Sequence, residues 1–188
     1  MKKFLLFILL FSVLITGFVF LNKIATTPNI DNLEQEKNIE KLYMALDHKD
    51  EEIQVKAEEA LIRLGPVAVD WIMEHEKEDD ADIEKITNVL GMINNDAAFN
   101  ALVYLLNNND PADAEYAIQA LTTYGEKAVS PLMENLKKYP GRTDIYRGLI
   151  AIGKPSVKPI SELLVKSYGE NKQNAFWVLQ GIQDPSSE

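Results

Sequence analysis

Apolar residues are arranged along this chain in two unlike ways. From Phe4 to Leu21 they form an uncharged run in which only Ser12, Thr16 and Gly17 are not strongly apolar. Beyond it they recur every three or four positions, in blocks of about 10–15 residues broken by Gly, Pro, Asn and Asp. That spacing places one buried face on each of a succession of helices. No stretch shows the period-2 alternation of β-branched residues expected of a strand. The pattern predicts an all-α chain behind an N-terminal membrane-spanning helix.

The blocks repeat. Ala57-Glu-Glu-Ala60-Leu61-Ile-Arg-Leu64-Gly65 returns as Ala117-Ile-Gln-Ala120-Leu121-Thr-Thr-Tyr124-Gly125, and more loosely as Gly148-Leu149-Ile-Ala-Ile152-Gly153. Weaker copies surround Leu90 and Leu179, and the aligned leucines 61, 90, 121, 149 and 179 lie 29, 31, 28 and 30 residues apart. A second kind of block follows each of the first four. Gly65-x-x-Ala68-Val69-x-x-Ile72 corresponds to Gly125-x-x-Ala128-Val129-x-x-Leu132 and to Gly153-x-x-Ser156-Val157-x-x-Ile160. Asn95-x-x-Ala98-Phe99-x-x-Leu102 fits after a one-residue shift, and Pro131 and Pro159 share a place six residues after the glycine.

Two helices per period of about 30 residues predict an α-solenoid of antiparallel helix pairs. Small residues such as Ala57, Ala60, Ala117 and Ala120 let helices approach closely, while the aligned leucine fills the layer between copies. The glycine is expected to end the first helix in a left-handed conformation. Asp50 and Asp110 stand where first helices should be N-capped. A last first-type helix over 170–182 closes the stack, with Phe176, Trp177 and Leu179 available for burial.

As a helix, the run 4–21 spans about 27 Å, close to the hydrocarbon thickness of a bilayer. It is longer than the core of a cleaved signal, and Phe20-Leu21-Asn22-Lys23-Ile24-Ala25 offers no good small-x-small cleavage site. With no cysteine in the chain there is no lipoprotein signal, disulfide or thiolate site. Lys2 and Lys3 before the run, against Lys23 after it, keep residues 1–3 in the cytoplasm. The reading is a signal-anchor over 4–21, a linker over 22–32 and a repeat domain over 33–188 outside the cytoplasm. A cleaved signal, giving a secreted soluble binding module, is the alternative.

At Asp50–Gly65, Asp110–Gly125, Leu90-Gly91-x-Ile93 and Gly181-Ile182-x-Asp184-Pro185 the sequence resembles HEAT repeats, in particular the short bacterial kind found in phycobilisome lyases. The resemblance covers about residues 33–185 and implies an armadillo-like protein-binding solenoid. Gln54 and Ala114 replace an arginine common in such repeats, so the Asp–Arg ladder between copies is absent there. In proteins of this kind the second helices line the concave surface. Positions five and nine past each turn point away from the apolar stripe, which singles out Asp70, Glu74, Asn100, Tyr104, Ser130, Glu134, Lys158 and Glu162 as partner-binding candidates. The resemblance also leaves open a lyase-like or enzyme-accessory role, which sits badly with export.

No chemistry-bearing motif accompanies the repeats. His48 and His75 stand alone, and there is no H-E-x-x-H, P-loop, G-x-S-x-G or G-x-G-x-x-G. The acidic stretch 74–84 lacks the glycine of a calcium loop and reads as a solvated turn, with Asp79–Asp82 able to cap the next helix. No catalytic residue, metal or cofactor is expected. Charge is uneven: residues 47–84 carry 14 acidic and 4 basic groups, and 127–172 carry 9 basic and 4 acidic. The acidic part disfavours nucleic acid, and the basic part is too sparse in interleaved aromatics for it. A protein partner is expected, or head-to-tail self-association.

Overall fold

The computed structural model describes residues 27–77, 81–108 and 111–183, and every regular element among them is helical. The expected all-α class holds. The predicted span 4–21 and the linker up to residue 26 lie outside the described residues. Among the described residues no helix is long and apolar enough to cross a membrane. The chain divides into two compact units, residues 1–57 and 58–188.

In the first unit, α1 (Ile30–Gln35) packs on α2 (Ile39–Ala45). Asparagine side chains start both: Asn29 Oδ1 accepts from the Asn32 N–H at 3.1 Å, and Asn38 Oδ1 from the Lys41 N–H at 3.2 Å. Ile30, Leu33, Ile39, Leu42 and Tyr43 are buried. Helix α1 thus begins inside the stretch read as linker, because Asn29 supplies a cap and Ile30 an apolar anchor. Helix α3 (Glu51–Leu64) starts as expected, with Asp50 Oδ1 accepting from the Glu52 N–H at 3.2 Å. His48 is a turn residue: its Nδ1 accepts from the Asp50 N–H at 3.1 Å.

The second unit holds α4 (Pro66–His75), α5 (Ile83–Ile93), α6 (Asp96–Asn108) and α7 (Pro111–Thr122). Then come α8 (Glu126–Lys138), α9 (Thr143–Ile152), a 3-10 turn (Lys154–Ser156), α10 (Val157–Lys166) and α11 (Gly169–Gln183). The packing runs in two series. Helix α5 contacts α7, α7 contacts α9, and α9 contacts α11; alongside, α4 contacts α6 and α6 contacts α8. Leu90, Leu121 and Leu149 are fully buried, as their periodic placement requires.

Close approach within the first series depends on absent side chains. A Cβ on Gly91 of α5 would lie 3.4 Å from the Ala120 Cβ of α7. One on Gly148 of α9 would lie 2.6 Å from the Ile118 Cγ2 of α7, and one on Gly181 of α11 3.0 Å from the Ile150 Cδ1 of α9. Small residues therefore do set the helix spacing, with glycine taking the tightest places.

The turns depart from the expected geometry in one respect. Gly65, Gly125 and Gly153 have positive φ, but with ψ of −114°, −129° and −134° they lie in the mirror image of the β region, not in αL. At Gly65 the reason is economy of length. A single residue joins Leu64, the end of α3, to Pro66, the start of α4. The remaining turn uses two residues for the same job: Asn94 adopts αL (φ 46°, ψ 46°), and Asn95 Oδ1 caps α6 by accepting from the Ala98 N–H at 2.8 Å. This accounts for the one-residue shift in the repeat. The shared prolines also differ. Pro159 falls in the first turn of α10, where no N–H is needed, whereas Pro131 sits inside α8 and removes a helical hydrogen bond.

Helix α11 matches the expected terminal helix within one residue at each end, but not its burial. Ala175 and Val178 are buried, whereas Phe176 and Trp177 are 54 % and 47 % exposed and Leu179 is half-buried. The face carrying Gly181 is the one turned to α9; Phe176, five residues earlier, lies well round the helix from it, and Trp177, one turn earlier, lies at its edge.

Four side chains tie successive copies at the repeat spacing. Lys127 Nζ meets Asp96 Oδ1 at 2.5 Å, 31 residues away, and Arg147 meets Glu115 at 2.7 Å, 32 residues away. Tyr124 Oη donates to the Leu90 carbonyl at 3.3 Å, and Asn135 Nδ2 to the Leu106 carbonyl at 3.3 Å and Asn107 Oδ1 at 3.1 Å. Leu90 and Leu106 lie in the last turns of α5 and α6, and the Leu90 carbonyl also accepts from the Asn94 N–H at 3.3 Å. One copy therefore bonds to carbonyls near the helix ends of the copy before it.

Burial, and secondarily the Asp96 carboxylate, push the Tyr124 hydroxyl from 10.0 up to about 12. The folded state favours the neutral phenol, so this contribution is complete below pH 10 and is lost as pH rises towards 12. Alkaline unfolding of the protein is expected to begin in that window. Tyr124→Phe should remove part of this dependence and cost about 1 kcal/mol at pH 7 through the lost hydrogen bond. Denaturant melts from pH 7 to 11.5 check both expectations.

Candidate interaction surface

The eight candidate residues lie on the second helices of the four copies: Asp70 and Glu74 on α4, Asn100 and Tyr104 on α6, Ser130 and Glu134 on α8, Lys158 and Glu162 on α10. All eight are exposed. The same helices bury the opposite positions: Ala68, Val69 and Ile72, then Ala98, Phe99 and Leu102, then Ala128, Val129 and Leu132, and finally Ser156 and Ile160. Helix α4 packs on α6 and α6 on α8, and the 3-10 turn leading into α10 packs on α8. The candidates are thus carried by a succession of neighbouring helices. Four carboxylates and one lysine give them a net charge of −3.

The turns between the helices are held by a mixed cluster. Phe99 and Tyr124 rings sit 5.2 Å apart at 56°, and Lys127 Nζ lies 4.0 Å over the Phe99 ring while bonded to Asp96. The Lys127 hydrogen bond and charge hold the Asp96 carboxyl below its usual range. These groups are consumed by one another and serve position, not chemistry. On α4, Trp71 stacks on His75 at 4.9 Å, one helical turn away, so His75 is a helix-end residue.

Nothing among the described residues gathers three metal-binding side chains. In the described part of the acidic stretch, Asp82 caps α5 by accepting from the Lys85 N–H at 3.0 Å, the capping use expected of that segment. The Glu84 charge, then desolvation of the phenol and a hydrogen bond with Glu84, raise the Tyr116 pKa.

One feature was invisible to periodicity. A groove of about 290 Å³ lies between α7 and α9, floored by Ile118 and Gly148 and edged by Glu115, Gln119, Asp144 and Arg147. Its charges are already paired, Arg147 with Glu115 and Arg142 with Asp144. The only sequence signal for it is Gly148 replacing the alanine found at the same place in α7.

No family model matches the chain, and no curated protein matches it. Among solved structures it is similar to two engineered proteins of the Northeast Structural Genomics Consortium. One is 20% identical, over 84% of this chain and 83% of that one, with a TM-score of 0.36. The other is 17% identical, over 84% of this chain and 51% of that one, with a TM-score of 0.38. Both scores are below the level at which a common fold can be argued.

Proposed function

We propose that this chain is a membrane-anchored adaptor: a HEAT-like α-solenoid, tethered by residues 4–21, that binds a protein partner outside the cytoplasm through its second helices. The observation that carries this reading is the sorting on α4, α6, α8 and α10. All eight candidate positions are exposed while the stripe opposite them is buried. The two series of helix contacts and the repeat-spaced side-chain ties favour a stack of equivalent pairs. Such a stack offers an extended rigid surface, and the tether raises its local concentration at the membrane. The net charge of −3 on the candidate strip favours a partner with a basic face.

The test is charge reversal on the strip. Asp70→Lys, Glu74→Lys and Glu134→Lys together are expected to weaken partner recovery from crosslinked membranes about tenfold or more, while the exposed sites leave the melting temperature within about 2 °C. Undiminished recovery at unchanged stability removes the strip from the interface. An alkaline phosphatase fused after Glu188 should be active; an intact but inactive fusion reverses the topology.

A further inference from the structure

The repeat register marks one surface as unfinished. Three residues before the aligned leucine stand Thr87 on α5, Ile118 on α7 and Tyr146 on α9, which are 0, 2 and 1 % exposed. On α7 this is the face that receives the next helix, since Ile118 meets Gly148 of α9. The counterpart on α11 is Phe176, and it is 54 % exposed. Nearby positions break the repeat in the same direction. Where α5, α7 and α9 show solvent Asn88, Gln119 and Arg147, α11 shows Trp177. Where second helices or their ends carry exposed Lys77, Asn107 and Lys137, α10 carries Val165, which is 80 % exposed. Tyr168, just before α11, is 86 % exposed.

A helix face that no described residue covers, left open to water, should be polar. This one has replaced polar residues by apolar ones. The three aromatics alone leave about 400 Å² uncovered per copy, half of the roughly 800 Å² each partner gives to a stable interface. The exposed Gln173 and Gln180, about one turn either side of Phe176 and Trp177 on α11, extend the same face. From 165 to 183 the charged residues are Lys166, Glu170 and Lys172, net +1. That is too few cations to hold an anionic membrane. It is also close enough to neutral for two copies to meet without like-charge cost.

We propose that the uncovered face of α11 is a self-association surface, where α11 and its exposed aromatics pair with those of a second copy about a two-fold axis. The inference stands on the residue 58–188 unit and does not depend on the second-helix strip.

The chain has no cysteine, so introduced ones report without background. Full-length protein in detergent carries Gln173→Cys and Gln180→Cys, which lie about 10 Å apart along one helix, too far to bridge within a copy. Mild oxidation is expected to yield disulfide-linked dimers from this variant and not from Gln119→Cys on α7. Adding Phe176→Glu should cut the yield about tenfold. Trp177→Gln, which installs the residue α7 has at that position, should cut it as well and guards against misfolding of the first variant. Helical circular dichroism confirms that each variant folds. The absence of dimers, an equal yield from Gln119→Cys, or a yield indifferent to both substitutions overturns the proposal. Indifference would show that association, if present, arises through another part of the chain.

Discussion

Gly148→Leu is expected to destabilise the protein by about 3 kcal/mol or more, lowering its melting temperature by roughly 6–12 °C. The first added carbon alone would lie 2.6 Å from Ile118 Cγ2, with Leu132 Cδ1 at 3.6 Å and Thr122 Cγ2 at 3.9 Å behind it. Cγ2 moves only with χ1, and a β-branched residue in a helix strongly prefers one χ1 rotamer, so α7 and α9 must separate. Gly148→Ala carries the same clash in smaller form. Its overpacking cost of about 1–3 kcal/mol exceeds the roughly 0.5–1 kcal/mol that alanine gains over glycine in a helix. Gly91→Ala is the informative contrast. Its Cβ would rest 3.4 Å from that of Ala120, within reach of a small adjustment, so it should be neutral or slightly stabilising. Thermal melts of the three variants check the ordering. Ile118→Ala should partly rescue Gly148→Ala, giving a double variant less damaged than the sum of the singles.

Asn135→Asp is the second large effect, expected at about 3 kcal/mol near pH 7. Asn135 is 2 % exposed, and its amide nitrogen faces two acceptors, the Leu106 carbonyl at 3.3 Å and Asn107 Oδ1 at 3.1 Å. A carboxylate there is a buried charge among oxygens with no donor to meet it. Burial and those neighbours favour the protonated form in the folded state, raising the pKa of the new carboxyl above its unfolded value. The penalty is therefore present above the folded pKa and is relieved as pH falls through it. The variant should recover stability relative to the parent between pH 7 and pH 4. Asn135→Leu supplies the neutral comparison, since Leu105 and Leu163 hold the equivalent positions in the adjoining copies. It removes an amide oxygen that is buried without a partner but loses the bond to the Leu106 carbonyl, so its cost should be smaller and independent of pH. Denaturant titrations at both pH values separate the two.

Local chemistry was the legible part of this chain. The aligned leucines mark buried positions because a 3.6-residue period leaves few other places for them, and α11 starts and stops within a residue of its sequence bounds. Asp50 and Asp82 could be read as caps because their donors lie two and three residues away. The glycine positions identified the turns, although only the backbone shows that their ψ is negative. What periodicity missed lies one repeat away in sequence. Tyr124 and Asn135 bond to carbonyls near helix ends 29–34 residues upstream, so neither a local motif nor a hydrophobic pattern points to them. Gly148 reads as another small residue until Ile118 is placed against it. By sequence Phe176 and Trp177 are available for burial, being aromatic and at helical spacing on the closing helix. Phe176 is exposed because no further helix of the described chain covers it as α9 covers Ile118 on α7, whereas Trp177 holds the position that faces solvent at Asn88, Gln119 and Arg147 in the earlier copies. The eight strip residues were found by subtraction, as the positions opposite the stripe. Spacing can indicate that they are exposed but not what they touch.

The most direct test of the adaptor reading places a photo-crosslinking amino acid at Tyr104 and at Glu134 in the full chain in living cells, with Gln119 on α7 as the comparison. The account expects the same crosslinked protein from Tyr104 and Glu134, neighbours on successive second helices, and none from Gln119. Adducts of equal yield at all three sites, or none at either strip position, would contradict it.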